Sequence, residues 1–392
     1  MIKTIRVMLL PNNKQKTKLY QYANTARFAY NWALGREQEN YKNGGKFISD
    51  GDLRKEFTQL KKTDEYTWLN NVSNNVTKQA IKDACEAYRD FFKGYTKFPR
   101  FKSKKHSVPA FYQDNVKIQF TDTHVKVEGF AASKKKNKQK LNWIRLTEHG
   151  RIPTDCKYMN PRIKCDGLNW YIIVGIEYED CVILPSNDGI GIDLGIKDLA
   201  ICSDEHKYQN INKTQRVKKL EKRKRRLQRS ISRKYEKNKK GVSYCKTSNI
   251  IKSKKELLKL NHRLAHIRQN YLHQTTTEIV KSKPSYIVLE DLNVSGMMKN
   301  RHLSKAIQQQ GFYEFRRQIE YKSVWNNIPV IIADRIFPSS KLCSCCGAMK
   351  KDLKLSDRIY KCKCGNVIDR DHQAALNLKK YGENVLKQQS VA

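Results

Sequence analysis

Five of the chain's 11 cysteines crowd into one short stretch, Cys343-Ser-Cys345-Cys346-Gly347 followed by Cys362-Lys-Cys364-Gly365. Two short knuckles separated by a loop offer four soft ligands to one tetrahedral ion, and the glycine after each knuckle lets the backbone turn toward sulfur. This is the spacing of a zinc ribbon, with Cys343, Cys346, Cys362 and Cys364 as the expected ligands. The second knuckle is C-x-C rather than C-x-x-C, which leaves open whether Cys345 replaces a neighbour. Four thiolates leave no open coordination position, so such a zinc site is structural. The other six cysteines are scattered singly and the total is odd. That excludes a disulfide framework and fits a reducing compartment.

Charge sets the next constraint. The 392 residues carry 78 Lys+Arg against 38 Asp+Glu, a formal net charge of +40. Self-repulsion on that scale destabilises a compact chain unless a polyanion neutralises it, and no basic segment has a broad apolar face for lipid. Nucleic acid is therefore the expected partner, and a membrane is not. A hydrophobic fraction of 39%, spread along the chain, still allows real cores, and the length suggests two or three domains. No apolar run approaches the ~20 residues of a membrane span, and the opening MIKTIRVMLLPNNK has no signal-peptide h-region. A soluble intracellular protein is expected.

Periodicity divides the chain into regions. Thr4 to Leu10 reads as a strand closed by Pro11; a helix follows with Leu19, Tyr22, Ala23, Ala26, Tyr30 and Ala33 on one face, ending at Gly44-Gly45. A second helical face runs Val76, Ala80, Ala84, Ala87, Phe91 and stops at Gly94. Phe98-Pro99-Arg100-Phe101-Lys102-Ser103-Lys104-Lys105 interleaves aromatic and basic residues, as expected where bases stack and phosphates are neutralised. From about 108 to 185 strands dominate: Val116, Ile118 and Phe120 alternate, as do Val125 and Val127, and Arg162–Cys165 with Trp170–Tyr178 reads as a hairpin through Asp166-Gly167. Lys134, Lys135, Lys136, Lys138 and Lys140 form a basic loop within this region.

Beyond it, Ile190–Leu194 and Leu199–Cys202 form a second hairpin. Val217, Leu220, Leu227 and Ile231, and then Leu257, Leu260, Leu264, Ile267 and Tyr271, mark an antiparallel helical pair joined near Gly241. The first of these helices is crowded with cations, including Lys222, Arg223, Arg225, Arg226 and Arg229. A charge run is ordinarily a solvated face, but one this dense is better explained by a phosphate backbone lying along it.

Three acids in separate segments are the candidate catalytic groups. Asp193 lies in Gly189-Ile-Gly191-Ile-Asp193-Leu-Gly195, where alternation sets Ile190, Ile192 and Leu194 on one face and Asp193 on the other; the flanking glycines should leave room beside the carboxylate. Glu290 ends the apolar strand Tyr286-Ile-Val-Leu289, and Asp371 begins a helix packed by Ala374, Ala375 and Leu378. Strand-end solvation or helix capping would explain any one of them alone. Together, in a chain that binds polyanion, they can hold two Mg²⁺ ions about 3.5–4 Å apart for phosphodiester hydrolysis. Sugar kinases, actin and Hsp70-like ATPases also use a G-x-D-x-G turn, but small hydroxyl residues follow it there, and Ile196-Lys197-Asp198 follow here.

Gly191-Ile-Asp-Leu-Gly-Ile-Lys-Asp-Leu-Ala, Val288-Leu-Glu290-Asp-Leu-Asn, Phe312-Tyr-Glu-Phe-Arg-Arg-Gln-Ile-Glu-Tyr-Lys322, Phe337-Pro-Ser-Ser-Lys-Leu-Cys343 and Asp369-Arg-Asp-x-x-Ala-Ala resemble TnpB. TnpB is the insertion-sequence protein often described as a transposase and related to type V CRISPR effectors. The resemblance extends to Phe98-Pro-Arg-Phe101 and Ala26-Arg27-Phe28-Ala29-Tyr30-Asn31. It implies a multidomain α/β protein: a β-rich wedge domain in two parts (1–12 and 106–186), a helical recognition domain (13–105), and an RNase H-like, RuvC-type nuclease domain (187–392) with a zinc ribbon at about 338–368.

The function implied is an RNA-guided, Mg²⁺-dependent DNA endonuclease of a transposable element. It would work with guide RNA from its own element and double-stranded target DNA, one protomer per guide, in a prokaryotic cytoplasm in association with the nucleoid. By motif position Asp193, Glu290 and Asp371 match the catalytic triad, and Asn74 to Gln79 resembles the helix that reads the target-adjacent motif, which singles out Asn74 and Lys78. Arg100 and Lys102 join them as expected nucleic-acid contacts. Gln373 departs from the family, which commonly has Asn there. A DNA transposase, a guided binder without catalysis and a miniature CRISPR effector are the alternatives.

Overall fold

The computed structural model describes residues 2–131, 140–178, 188–354 and 357–391. Lys134, Lys135, Lys136 and Lys138 of the basic loop lie outside these residues. The chain divides into two compact units, Met1–Glu179 and Asp180–Ala392. Among the described residues no helix is long and apolar enough to cross a membrane.

The first unit begins with β1 (Ile2–Leu10) and α1 (Asn13–Lys42). A reciprocal capping box between Asn12 and Gln15 starts this helix, and Gly44 at φ +74° follows its end. Leu19, Tyr22, Ala23, Ala26, Tyr30 and Ala33 are all buried, as their spacing requires. Next come α2 (Asp50–Leu60), capped by Ser49, and α3 (Asn74–Phe92), capped by Ser73. The buried stripe of α3 is Val76, Ala80, Ile81, Ala84, Cys85 and Tyr88, so it turns away from Ala87 and Phe91.

Strands β2 (Ala110–Tyr112), β3 (Gln119–Phe120), β4 (His124–Lys126), β5 (Trp143–Leu146), β6 (Tyr158–Cys165) and β7 (Trp170–Glu177) complete an antiparallel sheet of order β2-β6-β7-β1-β5-β4-β3. Tyr22 ties α1 to this sheet: its ring meets Phe130 edge-on at 5.1 Å, and its hydroxyl donates to the Glu128 carbonyl at 3.0 Å. An aromatic pair of this kind adds about 0.5–1.5 kcal/mol beyond its buried area. Val116 is not in a strand. The Asp114 carboxylate accepts the N–H groups of Val116 and Lys117 at 3.0 Å, and this local turn leaves Val116 83% exposed.

The second unit is built on β8 (Ile190–Leu194), β9 (Asp198–Cys202) and β10 (Lys207–Gln209), an antiparallel run. Two helices, α4 (Gln215–Lys237) and α5 (Ser248–Lys281), pack through Val217, Leu220, Leu260 and Leu264. The turn between them passes Gly241 at φ +58°. The chain then returns as β11 (Ile287–Glu290), parallel to β8; α6 (Ser304–Gln310) and α7 (Phe312–Trp325) lead to β12 (Val330–Ala333), parallel to β11. The strand order is therefore β10-β9-β8-β11-β12. On one sheet face Ile190, Ile192, Leu194, Ile287 and Leu289 form a core with residues of α5, α6 and α7, among them Leu272, Ile307 and Phe315. Helix α8 (Arg370–Val391) covers the other face, with Leu378 packed on Val288 and Ala333. A small hairpin, β13 (Ile359–Lys361) and β14 (Val367–Asp369), precedes α8 and carries the second cysteine knuckle.

Candidate active site and metal centre

Parallel register brings the first two acids together. Val288 pairs with Gly191 and Leu289 with Ile192, so one step further along both strands Glu290 stands beside Asp193. Both carboxylates share the parity of Gly191 and Val288, which is the face covered by α8. The space beside Gly191 is filled by the backbone of α8 rather than left open: a Cβ there would overlap the Ala375 carbonyl. Closeness of that helix is what brings Asp371, in its first turn, to the same cleft. Asp193, Glu290, Ser339, Arg358, Arg370 and Asp371 line this cleft, whose volume is about 330 Å³.

Neighbouring acids sort themselves by their partners. Asp369, not Asp371, caps α8: its Oδ1 accepts the N–H groups of Asp371 at 3.0 Å and His372 at 3.2 Å. Asp291 is neutralised by Arg316 at 3.0 Å and by Arg335. Asp371 accepts from Arg370 at 3.0 Å, with Arg358 at 3.7 Å from its other oxygen. Burial, then the charges of Glu290 and Asp371, hold the Asp193 carboxyl well above the usual carboxylate range. Burial raises Glu290 too; a hydrogen bond from Ser339 opposes this and the charge of Asp371 adds to it. Clustered carboxylates that disfavour one another's ionisation are relieved by a cation, so the donor set fits hard divalent ions.

The four-cysteine centre also fits its metal. The Cys343 and Cys364 sulfurs are 3.6 Å apart, as are those of Cys346 and Cys362, and all four lie within 4.8 Å of one another. Zn–S bonds of ~2.3 Å in a tetrahedron set sulfurs about 3.8 Å apart. Burial pushes the Cys343 thiol up, but backbone N–H groups of Cys346 and Cys345 and the Asn366 amide bring it down to about 6. Cys345 is exposed and outside the cluster.

The basic residues singled out in the sequence are placed on surfaces. Lys222, Arg223, Arg225, Arg226 and Arg229 are exposed on α4. In the first unit Asn74 and Lys78 are exposed on α3, and Asn74 accepts from the buried Lys61 at 2.7 Å. Arg100 is exposed, and the Lys102 ammonium sits 3.4 Å from the Tyr30 ring centroid. Ser339 and Arg370 stand in sequence motifs but carry no role in the sequence reading, and Arg358 at the cleft and Asp83, which binds Arg162 at 2.6 and 2.9 Å, give no periodic signal and were missed.

Three antiparallel strands, two parallel ones beside the first, a helix across one face and three acids on that face define an RNase H-like unit of the RuvC type, carrying a four-cysteine ribbon. Family models match three stretches of the chain. Residues 180–301 match the family described as "Probable transposase", 312–378 the "Cas12f1-like, TNB domain" and 1–46 a "Helix-turn-helix domain". Over this last range the structure holds β1 and the whole of a single uninterrupted helix, α1. These matches support the resemblance to the TnpB family.

It is 29% identical to "Putative RNA-guided DNA endonuclease InsQ" of Escherichia coli K12 across 98% of this chain and 93% of that one. It is also 29% identical to a "Putative RNA-guided DNA endonuclease" of Streptomyces pristinaespiralis, over 94% and 86%. The Cas12f1 chain of a cryo-EM Cas12f1–sgRNA–target DNA complex shares the fold with a TM-score of 0.60, covering 97% of this chain and 98% of that chain at 13% identity.

Proposed function

We propose that this chain is an RNA-guided DNA endonuclease of a transposable element, which cuts DNA beside a short motif where the sequence pairs with its guide RNA. The observation that carries the reading is the convergence of Asp193, Glu290 and Asp371 on one sheet face. The relatives' names and the net charge of +40 point the same way.

Asp193, Glu290 and Asp371 would hold two Mg²⁺ ions, which when bound supply an activated water and neutralise charge on the leaving oxygen of the phosphodiester. The chain's own groups prepare that chemistry. Strand pairing fixes Asp193 and Glu290 side by side, and the Asp369 cap leaves the Asp371 carboxylate free of capping. Arg370 and Arg358 pair with Asp371, and with a cation held by the acids they would be available to a phosphate at the cleft. Cys343, Cys346, Cys362 and Cys364 would hold structural zinc.

Residues 1–12 and 106–186 are proposed as the wedge domain, 13–105 as the recognition domain and 187–392 as the nuclease. Base pairing would read sequence, while the protein reads duplex shape and a short motif. Asn74 and Lys78 are assigned to that motif; Arg100, Lys102, Lys222, Arg223, Arg225, Arg226 and Arg229 are assigned to phosphates. The site of action is the cytoplasm, on chromosomal or element DNA.

The test is to purify the protein from cells carrying its native locus and to sequence the RNA bound to it. One abundant RNA whose end matches DNA beside the element is expected, with Mg²⁺-dependent cutting of that DNA lost in Asp193→Ala, Glu290→Ala and Asp371→Ala while RNA binding persists. Random cellular RNA, or cutting that survives in all three variants, contradicts the proposal.

A further inference from the structure

We propose that Ser339 is the positioning residue of Glu290 and that the cysteine ribbon holds it in place, an inference that rests on the reading of Glu290 as a metal-holding acid. Glu290 is the last residue of β11, so the sheet fixes its backbone and leaves three side-chain torsions free. The like charge of Asp371 favours rotation of its carboxylate out of the cleft. One hydroxyl opposes this: Ser339 Oγ donates to Glu290 Oε1 at 2.5 Å. Oε2 is then the oxygen left to meet a cation.

Ser339 is itself buried, at 5% exposure, and its segment is held from two sides. From α8, the Asn377 amide donates to the Ser339 carbonyl at 2.7 Å and to the Leu342 carbonyl at 2.8 Å. The Gln373 amide also donates to Leu342 O, at 2.6 Å, while Phe337 packs on Tyr381 with ring centroids 4.8 Å apart. From the ribbon, Ser344 Oγ donates to Gln373 Oε1 at 2.8 Å, and the Asn366 amide reaches both Gln373 Oε1, at 3.3 Å, and Cys343 Sγ, at 3.5 Å. A continuous set of hydrogen bonds thus runs from the first knuckle through Gln373 to the segment bearing Ser339. Gln373 and Asp371 share the first turns of α8, so the same contacts hold two acids. This gives the Phe337-Pro-Ser-Ser motif a chemical task, and it gives Gln373, where the family commonly has Asn, a longer reach to Leu342. Outer hydrogen-bond partners of metal ligands characteristically change metal affinity by about 10–100-fold when removed.

The test measures Mn²⁺ binding by calorimetry to the full-length, zinc-loaded chain free of RNA, with Asp193→Ala defining background. The Mg²⁺ concentration for half-maximal DNA cutting is measured on the guided complex. Ser339→Ala should weaken Mn²⁺ binding about 10-fold and raise the Mg²⁺ requirement by a similar factor. Zinc content and Tm should stay at wild-type values, and Ser339→Thr, which keeps the hydroxyl, should recover most of the affinity. Unchanged Mn²⁺ affinity in Ser339→Ala overturns the proposal. So does a loss of zinc or of Tm in step with the loss of affinity, because Ser339 would then be only structural. Wild-type Mn²⁺ binding no greater than that of Asp193→Ala overturns the metal-holding role of the acids, and this inference with it.

Discussion

A Cβ on Gly191 would overlap the carbonyl oxygen of Ala375, so α8 can lie against β8 only because residue 191 has no side chain. That contact spaces the helix from the sheet along the face that carries Asp193. Since Asp371 is in the first turn of α8, the missing side chain at 191 sets how near the third acid comes to the other two.

Gly191→Ala should therefore damage the site without touching it. Overpacking of this kind costs about 1–3 kcal/mol, and a fall of several degrees in Tm follows. Guided cutting should fall at least ~100-fold, since small misplacements in a catalytic set are that costly, while guide RNA binding stays near wild type. Wild-type cutting by Gly191→Ala would show that α8 has slack at this contact.

What was legible in the sequence depended on range. Alternation in Ile190–Leu194 placed Asp193 opposite the apolar face, and the helical stripe from Leu19 to Ala33 was buried as spaced, because both patterns are local. The pairing of Val288 with Gly191 is a long-range fact, fixed by packing across many intervening residues, and no periodicity announces it. Val116 misled because an Asx turn at Asp114 outweighs alternation that lacks a cross-strand partner. The glycine at 191 was read as space for a ligand, and that space belongs to a helix from the far end of the chain. Ser339 carries no periodic signal; the Phe337-Pro-Ser-Ser motif includes it without a role, and its distance to Glu290 supplies one.

Replacing Cys362 by Ser should remove zinc from the chain, as measured by elemental analysis against wild type. The ribbon between Cys343 and Cys364 should then become sensitive to protease, since structural zinc supplies much of the folding energy of such small modules. Cys345→Ser should keep its zinc, because Cys345 stands outside the cluster. Zinc loss in Cys345→Ser and retention in Cys362→Ser would reverse the ligand assignment.

On α4, Arg225 and Arg226 are exposed, and neither is in an ion pair among the described residues. Changing both to Gln should weaken nucleic-acid binding at every sequence alike and reduce the slope of log affinity against log salt by about 1 per residue. An unchanged slope would leave this face merely solvated.

Lys322 is buried against α5, donating to the His273 carbonyl at 2.9 Å and to Thr276 and Thr277 at 2.6 and 2.8 Å. Burial pushes its ammonium down to about 8 from the ordinary 10.5. Between those values the unfolded chain binds the proton more strongly than the folded one, so this group adds stability as pH rises from about 8 to 10.5, on the order of 3 kcal/mol. Denaturant midpoints at pH 8 and pH 10 should show about 2 kcal/mol of that rise in wild type and lack it in Lys322→Met. Equal pH dependence in both proteins would place the titration elsewhere.

The most direct measurement exchanges the guide. The matching end of the co-purified RNA is replaced by an unrelated sequence, and a plasmid carrying both the old and the new target, each beside the same short motif, is offered with Mg²⁺. Cutting should move to the new target and vanish with Asp371→Ala. Cutting that stays at the old target, or that ignores the RNA altogether, would contradict a guided nuclease.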